Sequence, residues 1–263
     1  MAGTVLDTAL APFGLILVSL FGLTLGSFAN VLISRVPHKE SMWTRSKCPN
    51  CNREIRWTEN IPVLSYVLLK ARCKGCNAKI SFIYPGVEIA MTALFILPFL
   101  IFHSWHQVII WIIFSVFGLP LVVIDLKLHR LPDTLTASLF ITVFIAITLF
   151  SIDAGDFSRI LPSLIGCVSL VAFYFAVALI SKGGMGMGDV KLSAAIGLAS
   201  GYFGVSAILV SSFAAFFLGS FVGILLMIIG KAGRKTAIPF GPFMIVGQFI
   251  SIATVSRIFF NFG

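Results

Sequence analysis

Apolar residues in this chain come in long blocks, with neither strand-like alternation nor isolated core-sized stretches. Predominantly apolar runs occupy 10–33, 82–102, 107–124, 134–152, 160–181, 190–230 and 238–260. About 20 apolar residues cross the hydrocarbon core of a bilayer as a helix, so each run predicts a membrane-spanning helix. The run 190–230 is too long for one. Gly201 and Gly204, around Tyr202-Phe203, mark the expected turn, giving a short sixth and a longer seventh span. The prediction is an all-α polytopic membrane protein with about eight transmembrane helices. An outer-membrane barrel needs segments of alternating hydrophobicity, which are absent. The first run is longer than a signal-peptide core, and Met1 to Ala9 carries only Asp7 instead of a basic region, so it reads as a retained span.

Between the first two runs the chain turns polar. Three parts are expected: 1–33 as the first span, 34–81 as an extramembrane loop, and 82–263 as seven further spans. Only 11% of residues are charged and 58% are hydrophobic, against about 25% charged in a soluble domain. A soluble enzyme is thereby excluded, as is disorder, which needs apolar-poor sequence. The net charge of +9 would suggest nucleic acid in a soluble protein. Here its placement reports orientation. With the N-terminus outside, the inner connections 34–81, 125–133, 181–191 and 231–237 hold ten, two, two and three of the 19 basic residues, and only Arg159 and Arg257 fall elsewhere. Merging the sixth and seventh spans would move Lys231, Arg234 and Lys235 outside. The positive-inside rule therefore favours eight spans with both ends outside and the 34–81 loop in the cytoplasm, and no nucleic-acid partner is needed.

That loop contains Cys48-Pro-Asn-Cys51 and Cys73-Lys-Gly-Cys76. Two CxxC pairs 21 residues apart have the spacing of a four-thiolate zinc site. Asn52 and Asn77 follow the two pairs and suit the left-handed conformation such a knuckle needs. The alternative is two disulfides, which the reducing cytoplasm disfavours. A loop this poor in apolar residues also gains folding energy from a metal. Cys167, alone in the fifth span, reads as packing.

Among the ten acids, Glu88, Asp125, Asp133 and Asp189 lie at or inside membrane edges, where ionisable groups are costly and usually functional. Asp125 ends the third span, and a carboxylate there opposes the helix dipole. Asp133 follows Pro132 and equally suits the first turn of a helix. Asp189 closes Gly186-Met-Gly188-Asp189 and would alone read as an N-cap, but the glycines around it permit close backbone approach. Without a Lys-Ser/Thr ending, the stretch is a poor phosphate loop. If the third and sixth spans touch, Asp125 and Asp189 can face each other as an aspartic-protease pair. Glu88 needs a buried partner, and a salt bridge to a loop arginine would also satisfy it.

Three stretches together resemble the type IV prepilin peptidases. They are Gly26-Ser-Phe-Ala-Asn30 through Arg35-Val-Pro37; the cysteine loop with Asn60-Ile-Pro62 and Tyr84-Pro85-Gly-Val-Glu88; and Asp125 with Leu131-Pro-Asp133 and the Gly186–Asp189 motif followed by Lys191. The resemblance covers nearly the whole chain. It implies an inner-membrane aspartic peptidase that cuts the basic leader from prepilins or pilin-like secretion subunits, then methylates the new N-terminus from S-adenosylmethionine. By motif position it implies Asp125 and Asp189 as the catalytic pair, supported by Asp133, Gly186, Gly188 and Lys191. Glu88, Arg72 and the zinc loop match the region associated with methyl transfer. Ala71 stands where the family has glycine, and a positive φ there would make alanine unfavourable. The competing readings are a peptidase without methyl transfer and a transporter with an acidic proton relay. A transporter would place its acids near the midplane and show internal repeats, which this chain does not.

Overall fold

In a computed structural model the described residues are 12–181, 184–230, 233, 236 and 238–259, of which 12 and 256–259 are described by their backbone alone. The expectations placed on Asp7, Lys182, Lys231, Arg234 and Lys235, and on the side chain of Arg257, lie outside them. Eight long helices occur among the described residues: α1 Pro12–Arg35, α2 Ile83–Ile101, α3 Trp105–Leu128, α4 Asp133–Ala154, α5 Ile160–Ile180, α6 Met187–Phe203, α7 Val205–Ile228 and α8 Gly241–Phe259. The chain is an all-α polytopic membrane protein. Six helices, α1 to α5 and α7, are long and apolar enough to cross a membrane. α6 is 17 residues long, and α8 is apolar over the shorter stretch Gly241–Val255.

The break expected in the long run 190–230 falls at Gly204, with φ 113° and ψ 175° between α6 and α7, a conformation that needs glycine. Gly201 is not part of the turn. It lies inside α6, where a Cβ would stand 2.8 Å from Ser163 Cα of α5. Gly197 on the same face would meet Cys167 Cα at 2.9 Å. Lipid supplies no hydrophobic drive between helices, so close backbone contact along small residues holds such pairs together.

Two compact units divide the chain, 1–100 and 101–263. In the first, α1 packs on α2 through Gly22 and Gly26, where added Cβ atoms would sit 2.8 Å from Thr92 Cα and 2.6 Å from Glu88 Cα. Asn30 Nδ2 donates to Tyr84 O at 3.0 Å. Arg35, buried, donates to Ser41 O and Met42 O and so folds the start of the loop. In the second unit α8 packs against α3, α6 and α7 around a core that includes Phe114, Leu121, Leu139, Leu192 and Met244. Within this core Ser200 Oγ donates to Gln248 Oε1 at 2.7 Å and Ser251 Oγ to Ala207 O at 2.8 Å, while Gln248 Nε2 has no hydrogen-bond partner.

Candidate active site and four-cysteine cluster

α3 ends at His129, whose left-handed backbone (φ 51°) lets its N–H cap the Asp125 carbonyl at 2.8 Å. Asp125 therefore lies in the last turn, at the unfavourable end of its own helix. Its carboxylate is 4% exposed and accepts the Gly241 N–H at 3.1 Å. Gly241 opens α8, so this N–H is one of the unpaired donors at a helix N-terminus, where the dipole favours negative charge. The α8 terminus offsets what the α3 terminus costs.

Asp189, 8% exposed, lies in the first turn of α6 and its Oδ2 accepts the Gly186 N–H at 3.2 Å. Each buried carboxylate thus rests on a different helix N-terminus. Leu131 links the two. A Cβ at Gly188 would stand 3.0 Å from Leu131 Cβ, and one at Gly241 would stand 3.1 Å from both Leu131 methyls and 2.8 Å from Asp125 Oδ2. Contrary to the expectation that the third and sixth spans touch, α3 and α6 have little direct packing; α8 packs on both, so the two aspartates are brought toward each other by α8 and the 129–132 connection.

Gly186 has φ −76° and ψ 149°, a conformation open to any residue, so its backbone freedom is not used. Asp133 and Lys191 form an ion pair at 2.7 Å with side chains 70% and 50% exposed, bracing the start of α4 against α6. Sequence reasoning missed Gly241 and gave Leu131 no role of its own. The signal for Gly241 was Pro239-Phe-Gly-Pro242, which starts a helix with proline in its first turn. His106 is tied to Tyr202 Oη at 2.8 Å and stacks on Phe150, roughly 28 Å along α3 from Asp125. His129 is exposed.

In the first unit the two CxxC pairs form matching knuckles. Cys48 N–H donates to Arg53 O and Asn52 N–H to Cys48 O, and the second knuckle repeats this with Cys73, Ala78 and Asn77, all at 2.9 Å. Asn52 and Asn77 take the left-handed conformation, φ 54° and 57°. Isolated bridges Lys47–Glu54 and Arg72–Lys79 close each one. Arg72 is exposed and serves in this bridge. The four Sγ atoms lie within 4.8 Å of one another, and Cys48 Sγ is 3.9 Å from Cys76 Sγ. That is close to the edge of about 3.8 Å expected for a tetrahedron with Zn–S of about 2.3 Å, and far beyond a disulfide. The Cys73 thiol is pulled down to about 6 by the backbone N–H groups of Cys76 and Gly75, and the Cys76 thiol is lowered by the Asn50 amide, whereas against the pull of the Arg53 backbone N–H, burial and the three neighbouring thiols push Cys51 up to about 11. The donor set fits a metal that binds thiolates.

Glu88, 8% exposed, accepts the Val63 N–H at 2.7 Å rather than pairing with a loop arginine. Val63 has φ 59° and ψ −47°, and Leu64 N–H reaches back to Pro62 O at 2.6 Å. This is a γ-turn of the rare, strained hand, centred on a β-branched residue. Lys70 and Ala71 also have positive φ, 51° and 56°.

Two family profiles match the chain: the bacterial peptidase A24 N-terminal domain over residues 20–111 and the type IV leader peptidase family over residues 111–228. A prepilin leader peptidase/N-methyltransferase of Dichelobacter nodosus is 32% identical over 281 residues, covering 96% of each chain. The chain belongs to the type IV prepilin peptidase family. Relatives bearing the same name come from Neisseria gonorrhoeae, 32% identical over 92% of this chain and 91% of the relative, and Bacillus subtilis, 29% identical over 88% and 91%. No solved structure matches.

Proposed function

We propose that this family member removes the basic leader from type IV prepilins or pilin-like secretion subunits and then N-methylates the exposed N-terminus. It works in the bacterial inner membrane with its active site facing the cytoplasm. Asp125 and Asp189 carry the hydrolysis. One carboxylate takes a proton from the attacking water while the other carboxyl donates to the scissile carbonyl. The observation that carries this reading is the pair of buried carboxylates, each set on a helix N-terminus and joined through Leu131. Asp133 and Lys191 position the α4–α6 corner, and Gly188 leaves the space Leu131 needs. α6 and α8 complete eight spans with both ends outside.

Cys48, Cys51, Cys73 and Cys76 hold one zinc ion. Four thiolates close its coordination shell, so it supplies folding energy to the loop and no water for hydrolysis. Methyl transfer belongs to the first unit, where Glu88 is the buried acid beside the zinc loop. Its charge suits a substrate amine or the sulfonium of S-adenosylmethionine, and its Oε2 holds the Val63 turn. A peptidase lacking methyl transfer is the second reading, favoured by the alanine with φ 56° at position 71. One assay tests both: purified protein in detergent with a synthetic prepilin, the product read by mass. Leader loss plus one methyl group supports the first reading, leader loss alone the second, and an intact substrate overturns both.

A further inference from the structure

The segment Ile61–Leu68 is turned inside out for a loop in water. Its exposed positions are Ile61, Leu64, Val67 and Leu68, at 38%, 50%, 64% and 69%, while Ser65 and Tyr66 between them are less exposed. Leu64, Val67 and Leu68 share one face of the short helix Leu64–Leu68 by their spacing, and Ile61 is exposed just before the turn that precedes it. Beside them Tyr66 packs edge-on against Phe82, ring centroids 6.5 Å apart, and Phe82 is itself 70% exposed. The apolar face therefore continues into the outward surface of α2, through Ile83 and Tyr84.

The height of this segment follows from α2. Its 19 residues span roughly 28 Å, close to the hydrocarbon thickness of about 30 Å, which puts Ile83 near the boundary if α2 crosses with little tilt. Glu88 lies about 7 Å further along the axis, and its carboxylate holds the Val63 N–H at 2.7 Å. Side chains lean toward the helix N-terminus, which places Val63 between the boundary and the level of Glu88. The short helix Leu64–Leu68 starts directly after the strained turn at Val63. Lys70 and Arg72 follow immediately and are exposed, within a loop holding ten basic and three acidic residues. Apolar side chains with flanking cations are the composition of a segment lying in an anionic bilayer surface.

We propose that Ile61–Leu68 is an interfacial element, its apolar face buried at the headgroup–acyl boundary and its flanking cations on anionic headgroups. The occupant of that face is lipid, and the Glu88–Val63 bond sets its depth. This inference rests on the membrane architecture and not on the catalytic reading.

The test uses the full chain in nanodiscs of phosphatidylethanolamine and phosphatidylglycerol, with photoreactive benzoylphenylalanine placed singly at Val67, Leu68 or, as a loop control, Lys79. The first two positions are exposed, so the substitutions do not disturb packing, and size-exclusion profiles check folding. Irradiation is expected to add one phospholipid mass at positions 67 and 68, with a yield several-fold above position 79. Cross-links from 67 and 68 only to protein, whether residues 101–263 or an added prepilin, would overturn the proposal and assign the face to protein docking. Equal lipid yields at all three positions, or no lipid adduct at any, would overturn it as well.

Discussion

A methyl group at Gly241 would stand 2.8 Å from Asp125 Oδ2 with Leu131 closing the other side, so the carboxylate must move if alanine is placed there. Catalytic geometry displaced by about 1 Å costs on the order of 100-fold in rate. Gly241→Ala is expected to lower the cleavage rate by about that factor with helix content unchanged, and a wild-type rate would separate Asp125 from the chemistry. Asp125→Asn and Asp189→Asn each keep shape and acceptor but not acid–base function, and each is expected to abolish leader cleavage. Asp133→Asn loses only an exposed ion pair, worth about 0–1 kcal/mol, and is expected to keep most of the activity. Near-normal processing by either of the first two variants, or complete loss in the third, would exchange the assignments. At Ala71 the sequence already carried its warning. The residue has φ 56°, a region costing alanine about 1 kcal/mol. Ala71→Gly is expected to slow hydrogen exchange around Cys73–Cys76, and faster exchange would show that the strain is compensated elsewhere in the loop.

At the scale of elements, long apolar runs and paired CxxC spacing made the helices and the four-thiolate cluster legible, because both depend on short-range pattern. Gly201 misled, since a glycine that admits a neighbouring helix looks in sequence like one that makes a turn. The role of Gly241 was hidden because it depends on which helix N-terminus arrives beside Asp125, a long-range fact with only Pro239–Pro242 as its local trace. The loop offers a pH test. Arg53 bonds Glu59 at 2.7 Å and holds its carboxyl below the usual carboxylate range. A carboxyl lowered on folding contributes stability that is present above its unfolded value and lost as pH falls through the folded one. The loop is therefore expected to loosen on acidification below about pH 4, seen as faster zinc release. In Glu59→Gln release should already be fast at neutral pH, with less change through this range. An unaltered acid profile in that variant would assign the loss to the thiolates alone. Glu88→Gln can still accept the Val63 N–H but carries no charge, so it is expected to keep the loop and lose methylation while cleavage persists.

For the whole molecule the open quantity is the number of crossings, because α6 is short and carries Asp189 and Lys191 near its start. Two arguments favour the eight crossings proposed above. The chain breaks at Gly204, where φ 113° ends α6 and starts α7 as a separate helix, and α6 buries Leu192, Ile196 and Leu198 almost completely against its neighbours. A helix enclosed by protein can cross a bilayer with less apolar length than one facing lipid, since its polar ends meet other helices rather than hydrocarbon. The charge map gives the second argument: with eight crossings the basic residues of 231–237 join those of 34–81 on one side, and with seven they do not. Reporter fusions placed after Gly263 and within 231–237 are expected to report opposite faces, with 231–237 on the same face as 34–81. The same face for both fusions would mean that α8 does not cross, and Asp125 would then be capped by a helix lying in the membrane surface.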